Sequence, residues 1–304
     1  MIGVFWPFSA FWNMTKERYD EMAAKPDYKK YGFIPQAQPG LLIMRIRNRA
    51  GNMTSDQMCS VAELAQRYGN GQVHVTTRQA VEVPGVKEEF FEEALAAIVA
   101  AGLLPAVCGP RVRPVVACPG TDTCPYGLLN ARVLAEKLDE GFVGRDLPAK
   151  TKFAVSGCPN SCTKPQANDV GFKGVTEPLL EAEACVKCGA CVRRCPAKAM
   201  AIEDAKLTIN YSKCLACGVC IKLCPKKALQ TGRKGYHLYV GGKGGRYQYD
   251  GQLLAEYVAE DKVLDYLEAI LATYQELAAK GERLNSVVAK TGIAVLKEQI
   301  ESKL

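Results

Sequence analysis

The sequence predicts an α+β protein with a cysteine-rich unit inserted into it, and three observations carry that expectation. Residues 41–101 read in β-α-β-(β)-α order. Residues 113–117 and 152–156 read as strands that each run into a loop bearing two cysteines. Between about 178 and 230 the spacing C-x2-C-x2-C-x3-C-P occurs twice in tandem.

Each element has its own signal. Residues 41–48 alternate, with Leu42, Met44 and Ile46 on one face. Residues 55–68 put Met58, Val61, Leu64, Ala65 and Tyr68 on one helical stripe, which Gly69-Asn-Gly71 stops. Residues 72–77 read as a second strand. Residues 87–101 read as a second helix with Phe91, Leu95, Ile98 and Val99 inward. An amphipathic helix is expected over 126–140, and two more over 250–279 and 281–302, packing the core or a neighbouring subunit.

Bulk properties narrow the class. The 304 residues suffice for about two domains, and 48% hydrophobic against 23% charged residues describes a chain with a real core. No apolar run is long enough for a membrane span. The apolar stretch Met1–Trp12 lacks a basic start and a small-x-small site, so it reads as mature protein covering a core or an interface. The formal charge of +7 is scattered and balances anionic cofactors, which argues against a nucleic-acid partner. Most of the fourteen cysteines cluster at two- and three-residue gaps, which points to metal rather than disulfides, and so to a reducing, cytoplasmic setting.

The tandem motifs are Cys185-Val-Lys-Cys188-Gly-Ala-Cys191-Val-Arg-Arg-Cys195-Pro196 and Cys214-Leu-Ala-Cys217-Gly-Val-Cys220-Ile-Lys-Leu-Cys224-Pro225. This is the bacterial ferredoxin run, in which three thiolates wrap one [4Fe–4S] cube and the fourth serves the other. Cys185, Cys188, Cys191 and Cys224 are therefore expected on one cluster, and Cys214, Cys217, Cys220 and Cys195 on the second. Zinc sites use cysteine pairs across a long loop instead. A third set, Cys118-Pro-Gly-Thr-Asp-Thr-Cys124 and Cys158-Pro-Asn-Ser-Cys162, brings two distant loops to one further cluster; the bland reading is buried cysteines among turn residues.

These two loops resemble the siroheme–[4Fe–4S] signature of the sulfite and nitrite reductases. His74-Val-Thr-Thr-Arg-Gln79 resembles the family's strand that approaches siroheme. Arg111-Val-Arg-Pro-Val-Val-Ala-Cys118 resembles its arginine-bearing strand. Leu147-Pro-Ala-Lys-Thr-Lys152 resembles its substrate-lysine segment, and the run from Gly235 to Arg246 its glycine-rich return strand. The insert's position after the second cysteine pair is similar to that in dissimilatory-type reductases and the catalytic subunit of anaerobic sulfite reductase.

The resemblance implies a sulfite-reductase-like half-domain within 1–105, a siroheme and [4Fe–4S] domain beginning at 106–177, a two-cluster ferredoxin domain at 178–230, and a return strand with C-terminal helices at 231–304. It implies siroheme and three [4Fe–4S] clusters. Cys162 would be the axial bridge, with Cys118, Cys124 and Cys158 completing that cube. Arg78, Lys150, Lys152 and either Arg113 or Arg111, the former favoured, would face sulfite or nitrite. Alternation along a strand places Lys150 and Lys152 on one face independently of the resemblance. Thr76, Thr77, Gln79, Arg45, Arg47, Lys243 and Arg246 would hold the siroheme carboxylates. His74 reads as a core or rim residue, and Cys59 and Cys108 as structural. The glycines at 241–245 open no nicotinamide- or flavin-binding helix, so a partner protein is expected to deliver electrons through the insert. The expected activity is reduction of sulfite to sulfide by six electrons in an anaerobic setting. Its alternatives are a nitrite reductase, an electron-transfer subunit with no substrate site, or a member that binds a tetrapyrrole without turnover. Homo- or hetero-oligomeric state stays open.

Overall fold

The computed structural model describes residues 27–304, and the expectation for the stretch 1–12 lies outside them. The chain forms two compact units. The first holds the described residues up to Val116 together with Glu136–Lys152, and the second holds Ala117–Ala135 with Phe153–Leu304.

The first unit is a sheet with two helices. Strands β1 (Phe33–Pro35), β2 (Leu41–Arg47), β3 (His74–Val75), β4 (Val81–Lys87) and β5 (Leu104–Pro105) form an antiparallel sheet ordered β1-β2-β4-β3, with β5 also on β2. Leu42, Met44 and Ile46 alternate into the core, all fully buried. Helix α1 (Ser55–Tyr68) starts at a capping box in which Thr54 and Gln57 satisfy each other's backbone N–H groups. Helix α2 is Phe91–Ala100. The edge of the Phe91 ring meets Tyr28 and Phe33 at centroid distances of 4.8 and 4.9 Å, tying the chain's entry to this helix.

Several expectations are corrected here. Met58 and Val99 are each 63% exposed, while Ala94 joins Phe91 and Ile98 in the core. The expected helix over 87–101 begins later because Lys87 pairs with Leu41 in the β2–β4 ladder. The strand over 72–77 shrinks to two residues. The strand over 113–117 shrinks to β6 (Val116–Ala117), since Pro114 has no N–H and the Arg113 N–H is spent on Thr151 O at 2.9 Å.

The second unit is built on two long strands, β8 (Val170–Leu180) and β11 (Leu229–Val240), paired antiparallel from Val170↔Val240 to Leu180↔Leu229. The sheet runs β12-β11-β8-β7, with β7 (Phe153–Ser156) parallel to β8 and β12 (Gln252–Val258) antiparallel to β11. The sheet's order ends at β6, next to β7. Residues 181–228 leave the β8–β11 pair and return to it. This excursion holds two five-residue helices, α4 (Ala190–Arg194) and α5 (Val219–Leu223), and the hairpin β9–β10 (Met200–Glu203 and Lys206–Ile209). Gly189 and Gly218 cap the two helices in the left-handed region, at φ +72° and +66°.

Helix α3 (Ala131–Phe142) starts five residues later than expected. The N–H groups of Leu128 and Leu129 are both bound to Gly157 O, at 2.9 and 3.1 Å, which holds the preceding residues as a loop. The helix expected over 250–279 is β12 followed by α6 (Val263–Leu277). That over 281–302 is two helices, α7 (Leu284–Thr291) and α8 (Ile293–Glu301), broken at Gly292. Leu254, Ala255 and Val258 are spaced as a helix face would be, but β11 offers them a sheet edge. Asp169, fully buried beside β8, anchors the C-terminal helices by accepting from Arg283 Nη2 at 2.7 Å.

Candidate active site

In the first unit, cationic side chains from several segments surround one cavity of about 390 Å³. Arg45 comes from β2, His74 and Glu82 from β3 and β4, and Thr76, Thr77 and Arg78 from the turn joining them. Arg113 and Pro114 follow, with Lys150 and Lys152 from the unit's final segment. Lys150 and Lys152 both line it, while Thr151 between them is fully buried on the opposite side. The turn at residues 76–79 is shaped by Thr76, whose Oγ1 accepts from the N–H groups of Arg78 (3.3 Å) and Ala80 (3.1 Å).

The guanidinium groups are oriented. Arg78 Nη2 donates to Pro114 O at 2.8 Å. Arg113 Nη1 donates to Cys108 Sγ at 2.7 Å, and Arg45 Nη1 reaches the same sulfur at 3.1 Å. Arg45 Nε also donates to Glu82 Oε1 at 2.6 Å. Among the described lining residues Glu82 is the acid, set against Arg45, Arg78, Arg113, Lys150 and Lys152. Such a set fits an anion: crowded cations favour a bound negative charge, and a guanidinium offers planar donors to its oxygens.

Other predicted residues stand elsewhere. Arg111 does not line the cavity; it pairs with Asp27 at 2.8 Å and Asp146 at 2.7 Å and donates to Cys108 O at 3.1 Å. Those partners hold its charge above its ordinary pKa even though burial opposes it. Arg47 pairs with the buried Asp139 at 3.2 Å instead of facing the cavity, and burial lowers its pKa. Gln79 sits at φ +59°, with its carbonyl accepting from Asn48 Nδ2 at 2.8 Å and its side chain against Gly51, off the lining. Lys243 and Arg246 belong to the second unit, in the loop after β11. There the backbone of Lys243 pairs with Tyr249, and its Nζ lies over that ring.

His74, Glu82 and Cys108 were not expected at this site. Alternation along β4, where Val81 and Val83 are buried, would have turned Glu82 to the cationic side. The register then sets it beside Arg45 and His74.

The second unit gathers the other twelve cysteines named above into three groups. Cys158 is buried, which pushes its thiol above its ordinary pKa. Cys118, Cys124 and Cys162 stand close enough to push it further. The N–H of Gly157 donates to Cys118 Sγ at 3.1 Å, and that of Cys118 to Val155 O at 3.1 Å, so strand β7 positions both loops. In the excursion, one cavity is bordered by Cys185, Cys188, Cys191 and Cys224, and another by Cys195, Cys214, Cys217 and Cys220. The fourth cysteine of each run stands with the first three of the other. Burial, then Cys214 and Cys217, push the Cys220 thiol up to about 12. N–H groups of Ala199 and Ala216 point at Cys195 Sγ (3.3 Å) and Cys214 Sγ (3.4 Å).

Among the described residues, no three His, Cys, Asp or Glu side chains converge as one metal ion requires; the sulfurs ring cavities instead. Thiols whose pKa burial and neighbouring sulfurs raise, as at Cys158, Cys191, Cys214 and Cys220, with amide donors aimed at sulfur, suit a cationic iron core holding them as thiolates.

An α+β half-domain with a cation-lined cavity and a sheet unit carrying three groups of cysteines together have the make-up of an iron–sulfur protein. Residues 34–101 match the nitrite/sulfite reductase ferredoxin-like half domain, and residues 108–304 match the nitrite and sulphite reductase 4Fe-4S domain. The chain belongs to the nitrite and sulphite reductase family. It is 35% identical over 274 residues to the coenzyme F420-dependent sulfite reductase of Methanocaldococcus jannaschii, covering 89% of this chain but 44% of that one. It therefore spans under half the length of that relative. It is 24% identical over 275 residues to the assimilatory-type sulfite reductase of Nitratidesulfovibrio vulgaris, covering 90% and 94%. Dissimilatory sulfite reductase I shares the fold, with a TM-score of 0.71 at 21% identity over 86% of this chain and 69% of that one. Among the described residues no helix is long and apolar enough to cross a membrane.

Proposed function

We propose that the chain reduces sulfite to sulfide, using siroheme and three [4Fe–4S] clusters. The observation that carries this reading is the convergence of Arg78, Arg113, Lys150 and Lys152 on one cavity. An electron carrier has no use for such a site.

Siroheme carries several carboxylates, and the same cavity offers Arg45, Thr76 and Thr77 besides the four cations. That donor set fits a polyanionic tetrapyrrole together with a small oxyanion. When bound, siroheme would supply redox-active iron for the reduction. Cys118, Cys124, Cys158 and Cys162 would hold a [4Fe–4S] cluster, with Cys162 the residue that would also hold the siroheme iron. The arginines bind and orient the oxyanion through planar N–H pairs. The lysine ammonium groups carry the protons that departing oxygens need to leave as water.

Electrons from a partner protein would enter at the Cys185, Cys188, Cys191 and Cys224 set, where Cys188 is exposed. Strand β8 supports the other set as the relay. Its Thr176 N–H donates to Ala216 O at 2.8 Å, beside Cys217, and two residues away Gly174 packs on Gly157, beside Cys158. Nitrite, a smaller oxyanion suited to the same cations, is the second reading, since similarity reaches the ferredoxin–nitrite reductase of Synechococcus elongatus at 29% identity over 178 residues.

The test is the visible spectrum of protein purified without oxygen, with iron and labile sulfide counts. Siroheme bands with about twelve non-haem irons and sulfite-dependent oxidation of a reduced dye are expected. Full clusters without tetrapyrrole absorbance would refute the proposal.

A further inference from the structure

Cys108 lies outside the three cysteine groups, yet it is buried and fully engaged. Its N–H donates to Lys29 O at 2.7 Å, and its carbonyl accepts from Arg111 Nη1 at 3.1 Å. Its backbone is thus held on both sides. The sulfur accepts from Arg113 Nη1 at 2.7 Å and Arg45 Nη1 at 3.1 Å, while its own S–H faces Ala106 O at 3.7 Å. A thiol is a weak donor and a weak acceptor, and here both capacities are used.

We propose that Cys108 is a positioning residue for the oxyanion site: its sulfur aims the Arg113 guanidinium into the cavity, steadied from the other side by Arg45. This rests on the cavity's assignment as the substrate site under Proposed function. The choice of sulfur has a physical reason. A carboxylate at this position would aim the guanidinium equally well but cancel its charge and compete with the incoming anion, as Glu82 does for Arg45. A neutral thiol orients the fork and leaves its charge for the substrate. Cys108 touches no substrate itself.

The experiment uses the intact holoprotein and a double-mutant cycle of C108A and R113A. Calorimetric titration with inorganic phosphate reads the binding of an oxyanion apart from turnover, and steady-state reduction of sulfite by a reduced dye separates KM from kcat. C108A is expected to weaken phosphate binding roughly tenfold, as loss of a hydrogen bond to a charged group does. KM for sulfite should rise more than kcat falls, and C108S should recover most of the loss. In the R113A background, C108A should change nothing further. An R113A effect with C108A silent, or a C108A effect undiminished in R113A, overturns the positioning role and leaves the cavity's assignment standing. If R113A changes neither phosphate binding nor KM, the cavity's assignment falls, and the positioning role with it. Should C108A not fold, C108V completes the cycle: it fills the space but offers the guanidinium groups no acceptor, and a shift that vanishes in R113A is still required.

Discussion

Gly174 on strand β8 and Gly157, the residue before Cys158, meet backbone to backbone: a Cβ on Gly174 would stand 2.6 Å from Gly157 O. No side chain fits at that separation. The contact locks the loop that presents Cys158 and Cys162 against the central strand of the second unit. Gly174→Ala should push that loop off and cost it its cluster. Iron and labile sulfide should fall by about four atoms each per chain, while the excursion's clusters remain. An unchanged iron count would show that the loop tolerates the shift.

Lys150 and Lys152 share the cavity, so each alanine variant should raise KM for sulfite by roughly tenfold or more, the scale of one charge-assisted hydrogen bond. A fall in kcat is expected in addition where a lysine supplies protons. The siroheme absorbance measures cofactor retention in the same samples. Retained siroheme with unchanged turnover in both variants would remove the lysines from the site.

The crossed arrangement of the excursion can be read chemically. In Cys224→Ser the set bearing Cys188 loses its fourth sulfur, so Cys188 should become open to alkylation. In Cys195→Ser, Cys214 and Cys217 should be alkylated instead. Peptide mapping after iodoacetamide treatment under anaerobic conditions decides. The reverse pattern would mean that each run holds its own cube.

Asp169 and Arg283 form a buried ion pair joining the sheet to the C-terminal helices. Removing one partner strands a buried charge, so Arg283→Met should destabilise the second unit by about 3–5 kcal/mol. Combined with Asp169→Leu, much of that loss should return. Urea unfolding followed by helical circular dichroism makes the comparison.

Glu177 on β8 accepts from Arg233 on β11 at 2.7 and 2.9 Å, and that guanidinium holds its carboxyl below the ordinary value of 4.5. A depressed folded pKa means that the unfolded chain binds the proton more readily. The pair's contribution is therefore present above that ordinary value and is lost as pH falls through the lower folded one. Wild type should exceed Glu177→Gln in melting temperature at pH 6, and the gap should close on acidification. A constant gap would show that the pair contributes through packing alone.

The grouping of the cysteines was legible in the sequence because residues two or three apart on a tight turn stay together in the fold. Alternation over residues 41–47 and the stripe from Val61 to Tyr68 were legible for the same reason: period reflects which face is buried. The sequence alone thus determined the grouping of the cysteines, the α+β half-domain and a short roster of cations. Tertiary structure decided which of those cations serve one site. Arg111 and Arg113 are two residues apart and chemically alike, yet Asp27 and Asp146 claim the first while Cys108 aims the second. Arg45 and Arg47 divide in the same way between the cavity and Asp139. A cation's direction is set by whichever acceptor stands nearest in space, and these acceptors come from segments far apart in the chain. For the same reason residues 252–258 became a strand, because β11 offered an open edge that no local period announces.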